Sequence, residues 1–206
     1  MYKYALMGVF FAVVVFFAIN RINLNFSKAE SLIDWKDIAK QKIKYNEGNN
    51  SYRIYKEILP NNESIFVLPY GILITPHVKN RLQGLGFNEE LQDRLPISKH
   101  ICDAIFELEF NDRLVYLNTY PEFKELSGMA KVAISDLHWV ANIVGGWPEF
   151  THALETKNHE GMILSIIHSK AYNDENRRLK SNPHAMTRWK LAVNILKQEF
   201  KVDFDL

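Results

Sequence analysis

The stretch KYNEGNNSYRIYKE, residues 44–57, marks the point where a helical pattern gives way to an extended one. Upstream of it, apolar residues recur on one helical face from an expected N-cap at Ser31. The helix is predicted to end at Glu47–Gly48, because glycine readily adopts the left-handed conformation that follows many helices. A carboxylate therefore closes the first helix, and a second one, Glu57, follows at the end of the stretch.

The segment after this helix predicts a small β-sheet. Between Tyr52 and Thr75, two runs rich in β-branched and aromatic residues flank the polar turn LPNNES at 59–64. That arrangement is typical of a hairpin or a three-stranded sheet. Pro69 lies inside the second run and has no N–H to donate, so we expect it at a sheet edge or a bulge.

From Pro76 onward the pattern is helical. We expect a long amphipathic helix at 98–118, a more hydrophobic central helix at 122–144, a helix that starts at Pro148, and further helices at about 159–170 and 184–200. The predicted fold class is α+β, with a small β-hairpin lobe joined to a larger all-helical lobe.

The N-terminal segment carries no charge between Lys3 and Arg21. At ~1.5 Å per residue a helix there is roughly 25 Å long, just enough to cross a bilayer core. No small-residue cleavage site follows it, which favours an uncleaved signal anchor over a removed signal peptide. We therefore expect a transmembrane helix at 1–21, with residues 4–20 in the membrane, then a tether at 22–31 and one domain at 32–206 outside the cytoplasm.

Composition argues against several kinds of site. Lysine and arginine number 25 against 24 aspartates and glutamates, so no strong field indicates a nucleic-acid partner. The single cysteine, Cys102, has isoleucines nearby and is predicted to be a buried apolar residue. The seven histidines form no HExxH pattern, and no glycine-rich phosphate loop is present. We expect no metal and no cofactor.

The order of these motifs resembles the phage-type lysozymes, glycoside hydrolase family 24, which include the T-even and lambdoid muramidases. That family has a first helix ending in Glu-Gly and then a Tyr-Lys-Asp stretch, and this chain has Glu47–Gly48 followed by IYKE at 54–57. The family's Gly-x-Gly-His-x-x-Thr hairpin segment is similar to PYGILIT at 69–75, which keeps Gly71 and Thr75.

Three later segments extend the resemblance in family order. AKVAISDLHWVAN at 130–142 resembles the central hydrophobic helix of the family, and FTHALETKN at 150–158 resembles its Phe-Thr-x-x-Leu helix. SKAYNDENRR at 169–178 resembles the family's turn ending in Asn-Arg. The resemblance implies a lysozyme-like fold, here preceded by one transmembrane helix, and peptidoglycan glycan strands as the partner.

The resemblance also implies a chemistry. Hydrolysis of the MurNAc-GlcNAc β-1,4 bond with inversion needs one carboxylic acid to protonate the leaving oxygen and a second group to orient water. Glu47 matches the acid of the family, and Glu57 matches its second carboxylate with one extra methylene. The other interpretation is a helix-ending glutamate and a turn carboxylate without a special role. Substrate-binding candidates are Tyr52, Tyr55 and Ser64.

The family pairs its catalytic glutamate with an arginine of the helical lobe. Arg177 is the expected partner because it follows Asn176 as in the family turn, and Arg178 and Arg188 are alternatives. Each of the three could instead be a solvated surface charge.

The hairpin departs from the family at three positions. Val67 stands where the family has a water-orienting threonine, Pro69 replaces its first glycine, and Ile72 replaces its histidine. The first expectation is a membrane-anchored muramidase, similar to phage endolysins, in the bacterial inner membrane with its C-terminal domain in the periplasm. The alternative is a lysozyme-fold scaffold without hydrolysis that binds peptidoglycan or a protein partner, and a third is an inner-membrane interaction or immunity protein.

Overall fold

The computed structural model describes residues 34–48, 51–58, 62–178 and 187–203, with the side chains of 175–178 excepted. The predicted transmembrane helix at 1–21 and tether at 22–31 lie outside these residues. The predicted location in the inner membrane depends on residues 4–20 and is therefore not addressed by the described chain.

The first helix, α1, spans Trp35–Glu47 and ends where the sequence predicts. Gly48 follows it at φ +68°, and its N–H donates to the carbonyl of Lys44 at 3.0 Å. The helix begins at Asp34, whose carboxylate accepts a hydrogen bond from the N–H of Lys36. The expected N-cap at Ser31 was therefore wrong.

Three short antiparallel strands follow, in the order β1-β2-β3: β1 is Tyr55–Ile58, β2 is Ser64–Leu68 and β3 is Ile72–Leu73. In the register Tyr55 lies opposite Val67, and Leu68 lies opposite Ile72. A 3-10 turn, Pro69–Gly71, separates β2 from β3.

The remaining elements are helical. They are α2 (Pro76–Gly84), α3 (Lys99–Leu117), α4 (Pro121–Glu125), α5 (Gly128–Ala141), α6 (Pro148–Glu155), α7 (His159–Ile167), α8 (Lys170–Arg178) and α9 (Arg188–Phe200), with a one-turn segment, Ile143–Gly146, between α5 and α6. The predicted helix at 122–144 is thus divided. Ser127 accepts a hydrogen bond from the N–H of Ala130 and starts α5, and Asn142, in the left-handed conformation, ends it.

The central helix of the core is α5, as predicted. Its apolar residues are buried on nearly all faces, and it packs chiefly against α1 and α9. One continuous apolar cluster includes Ile54 and Leu68 from the sheet region together with Phe106, Leu137 and residues of the C-terminal helices. Sheet and helices therefore share a single core.

The expected fold class requires correction. The described chain is mostly helical with one small three-stranded sheet that shares the core of the helices, rather than an α+β protein with a separate β-hairpin lobe. Within the described residues, no helix combines the length and the apolar character that a membrane crossing requires. Strand β2 ends at Leu68 because Pro69 cannot donate to a ladder and the chain turns at Pro69–Gly71. The end of β2 and the turn are buried in the core, whereas β1 is mostly exposed.

Candidate functional site

Glu47, the last residue of α1, lies where the sheet meets the helices. Its side chain is 18% exposed, and its Oε1 is 2.5 Å from Nη1 of Arg188 at the start of α9. Gly71 closes the other side: a Cβ on this residue would lie 2.5 Å from Oε2 of Glu47, and its φ is +70°. Only glycine combines that conformation with so close an approach of backbone to carboxylate.

The turn that carries Gly71 is held from three directions through Tyr70. The N–H of Tyr70 donates to the carbonyl of Gly48 at 3.2 Å, and the indole of Trp139 on α5 donates to the carbonyl of Tyr70 at 3.0 Å. The Tyr70 hydroxyl donates to Asp103 on α3 at 3.0 Å. Tyr70 itself is left-handed, with φ 66° and ψ 22°, a strained state for a residue other than glycine. These three contacts stabilise it.

Asp136 forms the buried centre of the same site. Its carboxylate, on α5, has no solvent exposure. The amide of Asn46, next to Glu47 on α1, donates to both of its oxygens, at 3.2 and 3.0 Å. Nζ of Lys42 lies 3.4 Å from Oδ2, and Nε of Arg188 lies 3.3 Å from Oδ1. Helices α1, α5 and α9 therefore meet at this carboxylate. Glu47, Asp136, Arg188, Asn46 and Lys42 are called the Glu47 cluster below.

Arg188 is shared between two carboxylates. Nη1 reaches Glu47, while Nε is near Asp136 in a geometry that is not a hydrogen bond, and Nε and Nη2 are buried without a hydrogen-bond partner among the described residues. The guanidinium is thus held by charge on both sides and by a hydrogen bond on one.

A second polar network borders the turn. Asp103 accepts hydrogen bonds from Lys44, at 2.9 Å, from Lys99, and from Tyr70. Burial raises the pKa of Asp103, but these three hydrogen bonds and the charge of Lys44 outweigh burial and lower it to about 2. Burial, followed by hydrogen bonds to Tyr52 and Asp103, raises the pKa of Tyr70. Tyr52 is half-buried and belongs to this network through its hydrogen bond with Tyr70.

The other predicted residues lie apart from the Glu47 cluster. Glu57 is exposed in β1 opposite Ile65, and Ser64 is exposed at the start of β2 opposite Ile58. Tyr55 is half-buried in β1, opposite Val67. Neither Glu57 nor Ser64 takes part in the contacts described above for Glu47.

Of the three candidate arginines, Arg188 makes the ion pair with Glu47. The side chains of Arg177 and Arg178 lie outside the described part of the chain, so the assignment of Arg177 stays a prediction. At the positions that depart from the family, Val67 and Ile72 are buried at 5% and 4% exposure, and Pro69 is buried in the 3-10 turn.

Sequence reasoning missed Asp136, Asn46 and Asp103. One signal was available for Asp136, because it is the lone acidic side chain in the hydrophobic run AISDLHWVA, and a charge on a core helix needs a partner. Nothing in the sequence pairs Asn46 with it, since the contact joins residues that are 90 positions apart.

Two other features of the described chain have some character of a site. His77, Glu109 and Asp112 place possible ligand atoms within 4.8 Å of one another, but Arg81 lies 2.7 Å from each carboxylate and already supplies their positive charge. A cavity of about 980 Å³ between α6, α7 and α8 is lined by Trp147, His152 and His168 among others, and shares no lining residue with the Glu47 cluster.

No family model matches the chain, and no curated protein matches its sequence at a significant level. A carboxylate that is mostly buried, paired with one cation and placed at a joint between two parts of a fold can transfer a proton or stabilise a positive charge.

Proposed function

We propose that this protein is a glycosidase of the bacterial cell wall, a muramidase that hydrolyses the MurNAc-GlcNAc β-1,4 bond with Glu47 as general acid. The observation that supports the proposal best is the placement of Glu47 at the junction of sheet and helices, against Gly71 and paired with Arg188. Proton transfer needs a carboxyl group held in one position, and these two contacts fix it.

Each neighbour of Glu47 has a part in the proposed reaction. Gly71 lets the backbone of the turn approach the carboxylate, and Tyr70 fixes the turn to α1, α3 and α5. Arg188 orients the carboxylate, and its charge also stabilises the anion that remains after Glu47 has given its proton to the leaving oxygen. An oxocarbenium-like centre on the sugar is then attacked by water on the opposite face.

Glu57 is the proposed second group, and its geometry is less favourable. It is exposed, and the residue at the family's threonine position, Val67, is buried and offers no hydroxyl to hold a water molecule. We therefore expect Glu57→Gln to reduce hydrolysis by a smaller factor than Glu47→Gln.

The experiment is a digestion of purified sacculi by the full-length chain. Clearing and new reducing ends are measured for the wild type, for Glu47→Gln and for Glu109→Gln. Glu109 is a matched control, because its carboxylate is 16% exposed and pairs with Arg81 at 2.7 Å in a different part of the molecule. We expect clearing by the wild type and Glu109→Gln, and a loss of roughly 10²-fold or more in Glu47→Gln. Equal clearing by all three would rule out Glu47 as the acid.

A second candidate function is supported by the departures in the turn. Buried Val67 and Ile72 replace polar residues of the family, which fits a scaffold that binds peptidoglycan or a protein without cutting the glycan. A scaffold that binds peptidoglycan would make wild type and Glu47→Gln both sediment with sacculi, and neither would clear them. Absence of both clearing and sedimentation would contradict the muramidase and the peptidoglycan-binding scaffold, and would favour a scaffold that binds a protein.

A further inference from the structure

Asp136 is a carboxylate on a core helix with no solvent exposure. An isolated charge there is costly, and burial is tolerated only with good partners. Asp136 has three: the Asn46 amide, Lys42 and Arg188. Two of these partners connect Asp136 to the candidate acid. Asn46 precedes Glu47 in the chain, and Arg188 forms the ion pair with Glu47.

The proposed acid faces an electrostatic conflict that Asp136 can relieve. A general acid must hold its proton near neutral pH, whereas a guanidinium 2.5 Å from a carboxylate favours the ionised form. A second negative charge beside the same guanidinium weakens the preference of Glu47 for its ionised form. Nε of Arg188 is 3.3 Å from Oδ1 of Asp136 in a geometry that forms no hydrogen bond, so the two carboxylates share the charge of one guanidinium.

Resting on the function proposed above, we infer that Asp136 is a positioning residue that divides the charge of Arg188, so that Glu47 keeps the proton it donates. The carboxylate of Asp136 holds the guanidinium from the core side and, through Asn46, fixes the last turn of α1. The residue acts through Arg188 and Asn46, and itself touches neither the substrate nor the reacting bond.

Other charged side chains near this site come from helices α1, α3, α5 and α9. On α1, Lys42 pairs with Asp136, and on α9 the cation is Arg188. On α3, Arg113 donates to the carbonyl oxygens of His138 and Trp139 at the end of α5. Burial lowers the pKa of Arg113, and the nearby carboxylates Glu109 and Glu47 act in the opposite direction. Burial, aided by Arg113, lowers the pKa of His138 to about 4, so that His138 is neutral at pH 7.

The inference predicts that two substitutions shift the titration midpoint of Glu47 in opposite directions. Asp136→Asn removes a negative charge and leaves Arg188 and Lys42 to act on Glu47, so the titration of Glu47 moves to lower pH. Lys42→Met removes a positive charge and leaves Asp136 to attract Arg188 more strongly, so the same titration moves to higher pH. A purely structural role for Asp136 would change stability and leave the titration in place.

The measurement is the pH titration of the Glu47 carboxyl carbon by NMR, in full-length chain labelled with ¹³C at the glutamate carboxyls, with Glu47→Gln to assign the signal. Glu109→Gln is the control, since it removes a carboxylate that pairs with Arg81 instead. Opposite shifts in Asp136→Asn and Lys42→Met support the inference. Unchanged midpoints, or shifts of the same sign, overturn it.

Lys42→Met keeps the inference testable if Asp136→Asn does not fold, because it leaves Asp136 with its contacts to Asn46 and Arg188. Activity gives a separate readout. If the chain clears sacculi, the alkaline limb of its pH–rate profile should follow each NMR shift, and kcat of Asp136→Asn at pH 7 should fall roughly tenfold. If the wild type clears nothing, the proposed muramidase fails, and the NMR titration still decides whether Asp136 divides the charge of Arg188.

Discussion

At the scale of single residues, Gly71 shows how a side chain that is absent can define a site. The space of its missing Cβ lies against the Glu47 carboxylate, and its backbone is in the left-handed region. Gly86 has a similar conformation, at φ +85°, but a Cβ there would meet no atom within 4 Å. The two glycines therefore separate the cost of backbone strain from the cost of crowding.

Gly71→Ala and Gly86→Ala should lose a similar amount of stability, about 1–2 kcal/mol each, because both put a non-glycine residue at positive φ. The crowded atom at Gly71 is the end of a flexible side chain, which can swing aside. Only Gly71→Ala should therefore abolish clearing of sacculi, by displacing the carboxylate from Arg188. Urea unfolding and the sacculus assay measure both quantities, and equal activity of the two variants would contradict the proposed position of the acid.

Asp103 predicts a pH dependence of stability. Its folded pKa of about 2 lies below the ordinary 3.8, so the unfolded chain binds more protons between these values. The stabilisation is fully present above about pH 4 and is lost as pH falls through 2. Asp103→Asn should cost about 1–2 kcal/mol at pH 6 and almost nothing at pH 2, as measured by urea unfolding. The exposed Glu90→Gln should show no such change, and a cost that is independent of pH would refute the prediction.

At the scale of elements, the start of α9 sets the position of Arg188. Thr187 is the N-cap: its hydroxyl accepts a hydrogen bond from the N–H of Lys190 at 3.1 Å. Ser98 does the same for α3, accepting from the N–H of Ile101 at 3.2 Å. Both caps act within one turn of their helix, but only Thr187 directly precedes a residue of the Glu47 cluster.

Thr187→Ala and Ser98→Ala should each reduce the free energy of unfolding by about 1 kcal/mol, because each leaves a backbone N–H of the first turn without its acceptor. We expect only Thr187→Ala to reduce hydrolysis, since a frayed first turn moves Arg188 away from Glu47. Thermal unfolding and the rate of reducing-end release check the pair. A loss of activity in Ser98→Ala as large as in Thr187→Ala would show that general stability, and not the helix start, controls the site.

At the scale of the whole molecule, one apolar core serves both the sheet and the helices. Ile54, Leu68 and Ile72 from the β region belong to the same cluster as Phe106 and residues of α5 and α9. The Glu47–Arg188 pair also joins residues 141 positions apart. A chain held together in this way is expected to unfold as one unit.

Urea unfolding of the full-length chain should therefore give coincident midpoints for methyl NMR signals of Ile72 in β3 and of Leu137 in α5. Two separated midpoints would show that the sheet region is an independent lobe, as the sequence-based fold class implied.

The sequence alone determined the local features of this protein. The end of α1 at Glu47–Gly48, a small sheet between Tyr52 and Thr75, and the starts of α3 and α6 were predicted because capping residues, prolines and hydrophobic periodicity act within a few positions along the chain. Glu47 could be singled out for the same reason, as the carboxylate that closes a helix.

Only the tertiary structure decided which groups surround Glu47 and how large the sheet is. The arginine beside it proved to be Arg188, its buried neighbour Asp136 lies 90 positions from Asn46, and Gly71 reaches it through a strained turn. These contacts depend on how α1, α5 and α9 pack. The sheet turns at Pro69, which has no N–H for a ladder, and Tyr70 and Ile72 after it are buried in the core shared with the helices.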